Sequence, residues 1–174
     1  AGIKPIIGAE LTLEGDHHLT LLVENDKGYA NLSRLITKAH LAGTKGNPVL
    51  VTAKLLDNTA GLICMSGCRK GVIADLLLKG DKEKAFETAQ RFKTLFGRDN
   101  FYIEIENHFT PDDKHLSLQL IDLAQKLNLN TVVTNNVHYA LRDRHTLHDV
   151  LTCIKNRVSL DASGQFRRLN SEYY

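Results

Sequence analysis

Four residues able to ligate a metal stand far apart in the sequence, each at a similar place relative to a short apolar segment. Glu10 lies within or just after Ile3–Leu13, and Cys68 follows Leu62–Met65. His108 follows Phe101–Glu106, and His138 follows Thr131–Thr134. Carboxylate, thiolate and imidazole are the donors that zinc, manganese and iron accept. A mixed set with open positions suits hydrolysis, because a bound metal lowers the pKa of water and neutralises charge on a phosphoryl group. Placement alone leaves a structural role open for each of them, since a histidine at a strand end is often only a hydrogen-bonding residue.

The segments that carry these residues read as an α/β pattern. Ile3–Leu13 reads as a strand with Pro5 near its start, and His18–Val23 as a second short strand. Asp26 is the expected N-cap of a helix through Leu41, with Tyr29, Leu32, Leu35, Ile36 and Ala39 on its apolar stripe. Gly43, Gly46 and Pro48 break the chain, and Thr52 is expected to cap a short helix, Ala53–Leu56. Three strand-then-helix units follow. Gly61–Met65 leads through Ser66-Gly67-Cys68 into a helix from Val72, and Asp81 caps another to Phe96. Phe101–Glu106 leads into a helix begun by Pro111-Asp112-Asp113; Thr131–Thr134 leads into a helix from Arg142 to Lys155. Short apolar strands alternating with amphipathic helices predict a parallel sheet covered by helices, in one domain over residues 1–174. In such folds the carboxyl ends of the strands converge on one rim, where the four residues would meet.

Other candidates carry plainer readings. Cys64 lies inside an apolar strand and Cys153 beside Leu151 and Ile154, so both read as core residues. His17-His18 beside Gly15-Asp16 reads as a turn. His145 and His148 stand three apart on a helix and could face one metal, but capping or buried hydrogen bonding is the favoured reading; His40 and His115 read as solvated. Glu104 and Glu106 share one strand face with Tyr102 and His108, where they either support metal-bound histidines or face water. Arg142, Arg144, Lys155, Arg157, Arg167 and Arg168 bias the last third toward positive charge, diluted by Asp143, Asp149 and Asp161. That bias reads as a solvated surface or as a contact to DNA or a neighbouring domain.

Composition bounds the function classes. With 174 residues, 43% of them hydrophobic, the chain can bury one substantial core. The 22 basic against 20 acidic residues give a net charge of +2, without the basic excess of a nucleic-acid-coating protein. No apolar run reaches the roughly 20 residues of a bilayer span, and three cysteines without a CxxC pair fit reduced thiols in a cytoplasmic protein. The opening Ala1-Gly2-Ile3-Lys4-Pro5 and the end Glu172-Tyr173-Tyr174 read as the boundaries of a fragment.

Six collinear stretches resemble the PHP domain of bacterial DNA polymerase III alpha subunits, the DnaE type. They are Gly2–Leu13 (GIKPIIGAELTL), Leu32–Ala39 (LSRLITKA), Gly61–Cys68 (GLICMSGC), Leu95–His108 (LFGRDNFYIEIENH), Thr131–Ala140 (TVVTNNVHYA) and His148–Ile154 (HDVLTCI). GAELTL, NLSRLIT and DVLTCI resemble the error-prone branch more than the main replicative subunit. The resemblance implies a distorted TIM-like barrel with a polynuclear centre of divalent metal (Zn, Mn or Fe) at its C-terminal rim. It assigns metal ligation to Glu10, Cys68, His108 and His138, and to position 136, where Asn136 stands in place of the family's usual Asp. An amide offers one carbonyl oxygen without the negative charge and ligates weakly.

The family's early HxH and TDH motifs fall upstream of Gly2. The expectation is therefore a partial barrel lacking its first strands, with about half a metal centre, weak or absent metal binding, and exposed strand edges open to self-association. The implied parent is a DNA-directed DNA polymerase, with the rest of its chain and DNA as partners and no membrane. Its PHP domain would retain phosphoesterase or 3′–5′ exonuclease chemistry or serve as a non-catalytic scaffold and partner-docking module, the latter favoured by Asn136. The alternative is a free-standing PHP phosphoesterase of the histidinol-phosphatase type.

Overall fold

A computed structural model describes residues 2–55 and 57–174; Ala1 and Leu56 lie outside the described residues. Five strands form one sheet in sequential order: β1 (Gly8–Leu13), β2 (His17–Val23), β3 (Leu62–Met65), β4 (Phe101–Ile105) and β5 (Asn130–Val133). Five helices accompany them: α1 (Asp26–Ala42), α2 (Val72–Leu78), α3 (Lys82–Phe96), α4 (Asp113–Leu127) and α5 (His145–Asn156).

The expected parallel sheet holds for β3, β4 and β5. It does not hold for the first two pairings, which are antiparallel. For β1 and β2 the reason is connection length. Between β1 and β2 only Glu14, Gly15 and Asp16 intervene, with Gly15 and Asp16 at φ 80° and 61°, and so short a link can only fold the chain back on itself. A parallel neighbour needs a crossover of a dozen residues or more, which α2–α3 and α4 supply further along.

Strand alternation sorts the sheet into two faces. Leu11, Leu13, Leu19, Leu21, Leu62, Cys64, Phe101 and Ile103 join one buried core with Leu32 and Leu35 of α1, Ile73 of α2, Phe92 of α3 and Leu120 of α4. The registers Glu10↔Thr20, Thr20↔Met65 and Met65↔Tyr102 put Glu10, His18, Thr20, Met65, Tyr102 and Glu104 on the opposite face. One face thus supplies stability and the other is left for polar side chains.

Several boundaries shift for local reasons. Residues 3–7 stay outside β1, with Ile3, Ile6 and Ile7 exposed; Pro5 offers no backbone donor there. Asn25, not Asp26, caps α1, its side-chain oxygen accepting from the Gly28 N–H at 3.1 Å. Gly28 is required at that point, because a Cβ would fall 1.7 Å from the Gly61 carbonyl oxygen. Tyr29 is exposed, off the expected stripe. The short helix after Thr52 is a 3-10 turn, Thr52–Leu55, and its expected last residue, Leu56, lies outside the described residues. A 3-10 turn, Arg142–Arg144, likewise precedes α5. Asp81 caps α3 as expected. Cys64 is fully buried in the core, while Cys153 is buried in α5 outside that core cluster. No helix among the described residues is long and apolar enough to cross a membrane.

Candidate metal centre

The polar face of the sheet closes around a cavity of about 550 Å³. Glu10, His18, Cys68, Glu104, Glu106, His108, Asn136 and His138 all line it. All five residues singled out for metal ligation therefore reach one hollow. Within it they separate into two groups.

The first group is tight. Antiparallel pairing sets Glu10 opposite Thr20 and His18 opposite Thr12, so Glu10 and His18 are diagonal neighbours on one face. Glu10 Oε1 lies 3.2 Å from His18 Nδ1, and Cys68 Sγ lies 3.7 Å from the same nitrogen. The turn after β3 delivers Cys68 here. Gly67 takes φ 88°, and a Cβ on it would meet the His18 carbonyl oxygen at 2.2 Å, so the turn presses backbone to backbone against β2. The His18 N–H also donates to the Lys70 carbonyl at 3.1 Å. Carboxylate oxygen, imidazole nitrogen and sulfur all fall within 4.8 Å of one another, the spacing at which one ion could touch all three.

The expected strand from His18 is present, beginning one residue earlier at His17, but the reading of His17-His18 as a turn and not a site is corrected for His18, which sits between Glu10 and Cys68. The signal that could have found it is the pairing register, since a two-strand hairpin with a three-residue link returns position 18 beside position 10.

The second group is looser. His108 stands in the loop after β4, its ring stacked on Tyr173 at 4.0 Å between centroids and 7° between planes. His138, exposed at the end of the β5 loop, meets the Arg168 guanidinium through Nε2. Asn136 lines the same wall. Neither histidine joins the tight cluster. His145 and His148 also stay apart from it. His145 Nε2 is 3.7 Å from Asp149 Oδ1, and His148 packs 5.4 Å from the His138 ring. His40 and His115 are solvated.

Electrostatics across the cavity call for positive charge. Burial, reinforced by Glu104, Glu10 and Asp113, pushes the Glu106 carboxyl up to about 7. Burial also raises Glu104, whose Oε1 accepts from the Thr134 hydroxyl at 2.6 Å while Oε2 is buried without a partner. Burial, with Glu106, Glu10 and Glu104 nearby, pushes the Cys68 thiol up to about 11, against the pull of the Lys70 N–H. Burial lowers His108, and burial with the Arg168 charge takes His138 down to about 4, so both imidazoles are neutral donors. His108 Nε2 is buried with no hydrogen-bond partner. Neutral imidazoles, clustered carboxyls and orphaned buried acceptors fit a divalent cation.

Asp113 was read only as part of a helix start, yet it braces both groups. Its Oδ2 accepts from the N–H groups of His108 and Thr110, each at 3.0 Å, and its Oδ1 accepts from Arg69 at 2.9 Å. The His108 loop is thereby tied to the residue beside Cys68.

Residues 1–108 match the family model for the PHP domain. The chain belongs to the PHP domain family. Over its whole length it is 42% identical to an error-prone DNA polymerase of Symbiobacterium thermophilum, of which it spans 17%. Over 99% of its length it is 35% identical to DNA polymerase III subunit alpha of Treponema pallidum, spanning 16% of it. The corresponding Thermus aquaticus subunit is 34% identical over 99% of the chain, which spans 15% of that protein. This PHP chain thus spans about a sixth of the length of the curated relatives it matches.

Proposed function

We propose that this chain is part of the N-terminal PHP domain of a DNA-directed DNA polymerase active in replication or error-prone repair synthesis. Its sheet would then be a portion of a distorted TIM-like barrel, completed by strands of the parent polymerase outside this chain. The polar sheet face bearing Glu10, His18 and Glu104 supports that reading, because an open sheet gives such a face no reason to gather acids around a cavity.

The observation that carries the metal reading is the convergence of Glu10, His18 and Cys68 within 4.8 Å. These three would hold one divalent ion, zinc, manganese or iron, with Glu104 and Glu106 balancing its charge. When bound, such an ion polarises a phosphoester and activates water. The surrounding side chains point toward a structural role more than a hydrolytic one. Asn136 brings no charge, and the rings of His108 and His138 are covered by Tyr173 and Arg168. The domain then stabilises and docks the rest of the polymerase, and DNA is reached through the parent protein.

Cobalt(II) titration of the full-length protein tests this. A thiolate-to-cobalt absorption band that Cys68→Ser removes is expected. A protein that binds cobalt with no such band would overturn the assignment of Cys68, and with it the metal site.

A further inference from the structure

The last eight residues of the chain form a strap across the mouth of the cavity. The His138 N–H donates to the Tyr173 carbonyl at 2.8 Å, and the Asn135 side chain donates to the Tyr174 carbonyl at 2.6 Å. Arg142 Nε donates to Ser171 Oγ at 3.0 Å and its guanidinium pairs with Glu172. From the other wall, the Asn170 side chain donates to the His108 carbonyl. The strap is therefore fastened to the loops after both β4 and β5.

It carries one positive charge inward. The cavity holds three cationic side chains, Arg69, Lys70 and Arg168. Arg69 pairs with Asp113 and Asp112, and Lys70 with Asp16. Arg168 forms no ion pair with a carboxylate among the described residues. Its guanidinium instead lies 5.1 Å above the Tyr173 ring and donates to His138 Nε2.

We propose that the Arg168 guanidinium occupies the place of a second cation, so that the cavity admits one ion, at Glu10–His18–Cys68, while the strap is closed. This rests on the metal reading above. An imidazole nitrogen has one lone pair, and a guanidinium donor and a metal ion cannot both take it. Asn136, beside His138, gives no charge with which to outcompete the arginine. A dication placed next to a fixed guanidinium in a partly enclosed cavity is also repelled, more strongly than it would be in water. The arginine supplies permanently what a second ion would supply only when bound, a positive charge facing Glu106.

The test counts ions in the full-length protein by cobalt(II) titration, comparing wild type with variants in the same background so that ions held elsewhere cancel. Arg168→Gln is expected to take up one additional equivalent of cobalt per chain, without added thiolate absorption. Adding His138→Ala to Arg168→Gln should remove that equivalent, and Arg168→Lys, which keeps the charge, should hold the wild-type count. The Lys variant also controls for disturbance of the strap itself. Unchanged stoichiometry in Arg168→Gln overturns the proposal, as does an extra equivalent that survives loss of His138. Loss of the thiolate band in wild type would instead strike the Glu10–His18–Cys68 reading, and the count in Arg168→Gln would still decide this one.

Discussion

The two halves of the cavity present similar donors in different ways. Glu10 and His18 stand on hydrogen-bonded strands, and Cys68 stands on a turn pressed against one of them, so their mutual spacing is fixed by backbone pairing. His108, Asn136 and His138 stand on loops beyond the ends of β4 and β5, and their positions depend on Asp113 and on a strap from the far end of the chain. Donors locked by a sheet converge without help. Donors on loops are available to whatever side chain reaches them, and here Tyr173 and Arg168 do.

The largest expected effect breaks the rigid half. Gly67→Ala would combine a positive-φ penalty with a Cβ 2.2 Å from the His18 carbonyl oxygen, a contact with backbone that cannot swing away. A loss of about 3 kcal/mol in denaturant unfolding is expected, together with loss of the cobalt–thiolate band. A folded protein with normal stability and an intact band would show that the turn, and not the sheet, yields freely.

Cys68→Ser separates the halves without unfolding either. Zinc affinity should fall by about a hundred-fold or more, as removal of a direct ligand exceeds the effect of removing its supports. His138→Ala should leave that affinity nearly unchanged if Arg168 already claims the nitrogen. Equal losses in the two variants, measured by competition with a chelating dye, would merge the two groups into one site.

The same contrast marks what could be read in advance. Strand and helix identities were legible because apolar periodicity is local: Leu32, Leu35 and Ala39, or Ala85, Ala89 and Phe92, announce their helices by spacing alone. Glu10 and Cys68 stood out by their type and by their motifs, and both line the cavity. The role of His18 was not, because it depends on which residue of β1 faces it, and a hairpin register is a non-local property. The direction of β2 was missed for a related reason, the weight given to later strand-helix units over the three-residue link. Arg168 and Tyr173 were invisible as cavity residues, since nothing in residues 157–174 signals that the segment crosses back over His108.

A smaller effect is expected at the brace between the halves. Asp113 is nearly buried, and although burial alone would raise its carboxyl, hydrogen bonds from Thr110 and His108 and the Arg69 charge hold it below the usual range. A carboxylate with a depressed folded pKa stabilises the fold above its unfolded value of about 3.9, and that contribution is lost as pH falls through the folded value. Asp113→Asn should therefore cost about 2 kcal/mol at neutral pH, and the gap from wild type should close in acid below pH 4. A gap independent of pH would assign the loss to packing instead of charge.

The smallest effect concerns the strap alone. Tyr173→Leu keeps apolar bulk over His108 but removes the ring stacked at 4.0 Å and the face beneath Arg168. Because the strap is fastened to loops and contributes no strand to the sheet, its opening is a local event, and global stability should change by about 1 kcal/mol or less. Hydrogen exchange resolves the difference. The His138 amide, which donates to the Tyr173 carbonyl, should exchange much faster in the variant, while the Leu21 amide, in the middle of β2, should follow only the small change in global stability. Matching acceleration at both amides would mean that strap and sheet open together, and the independence of the two halves would be lost.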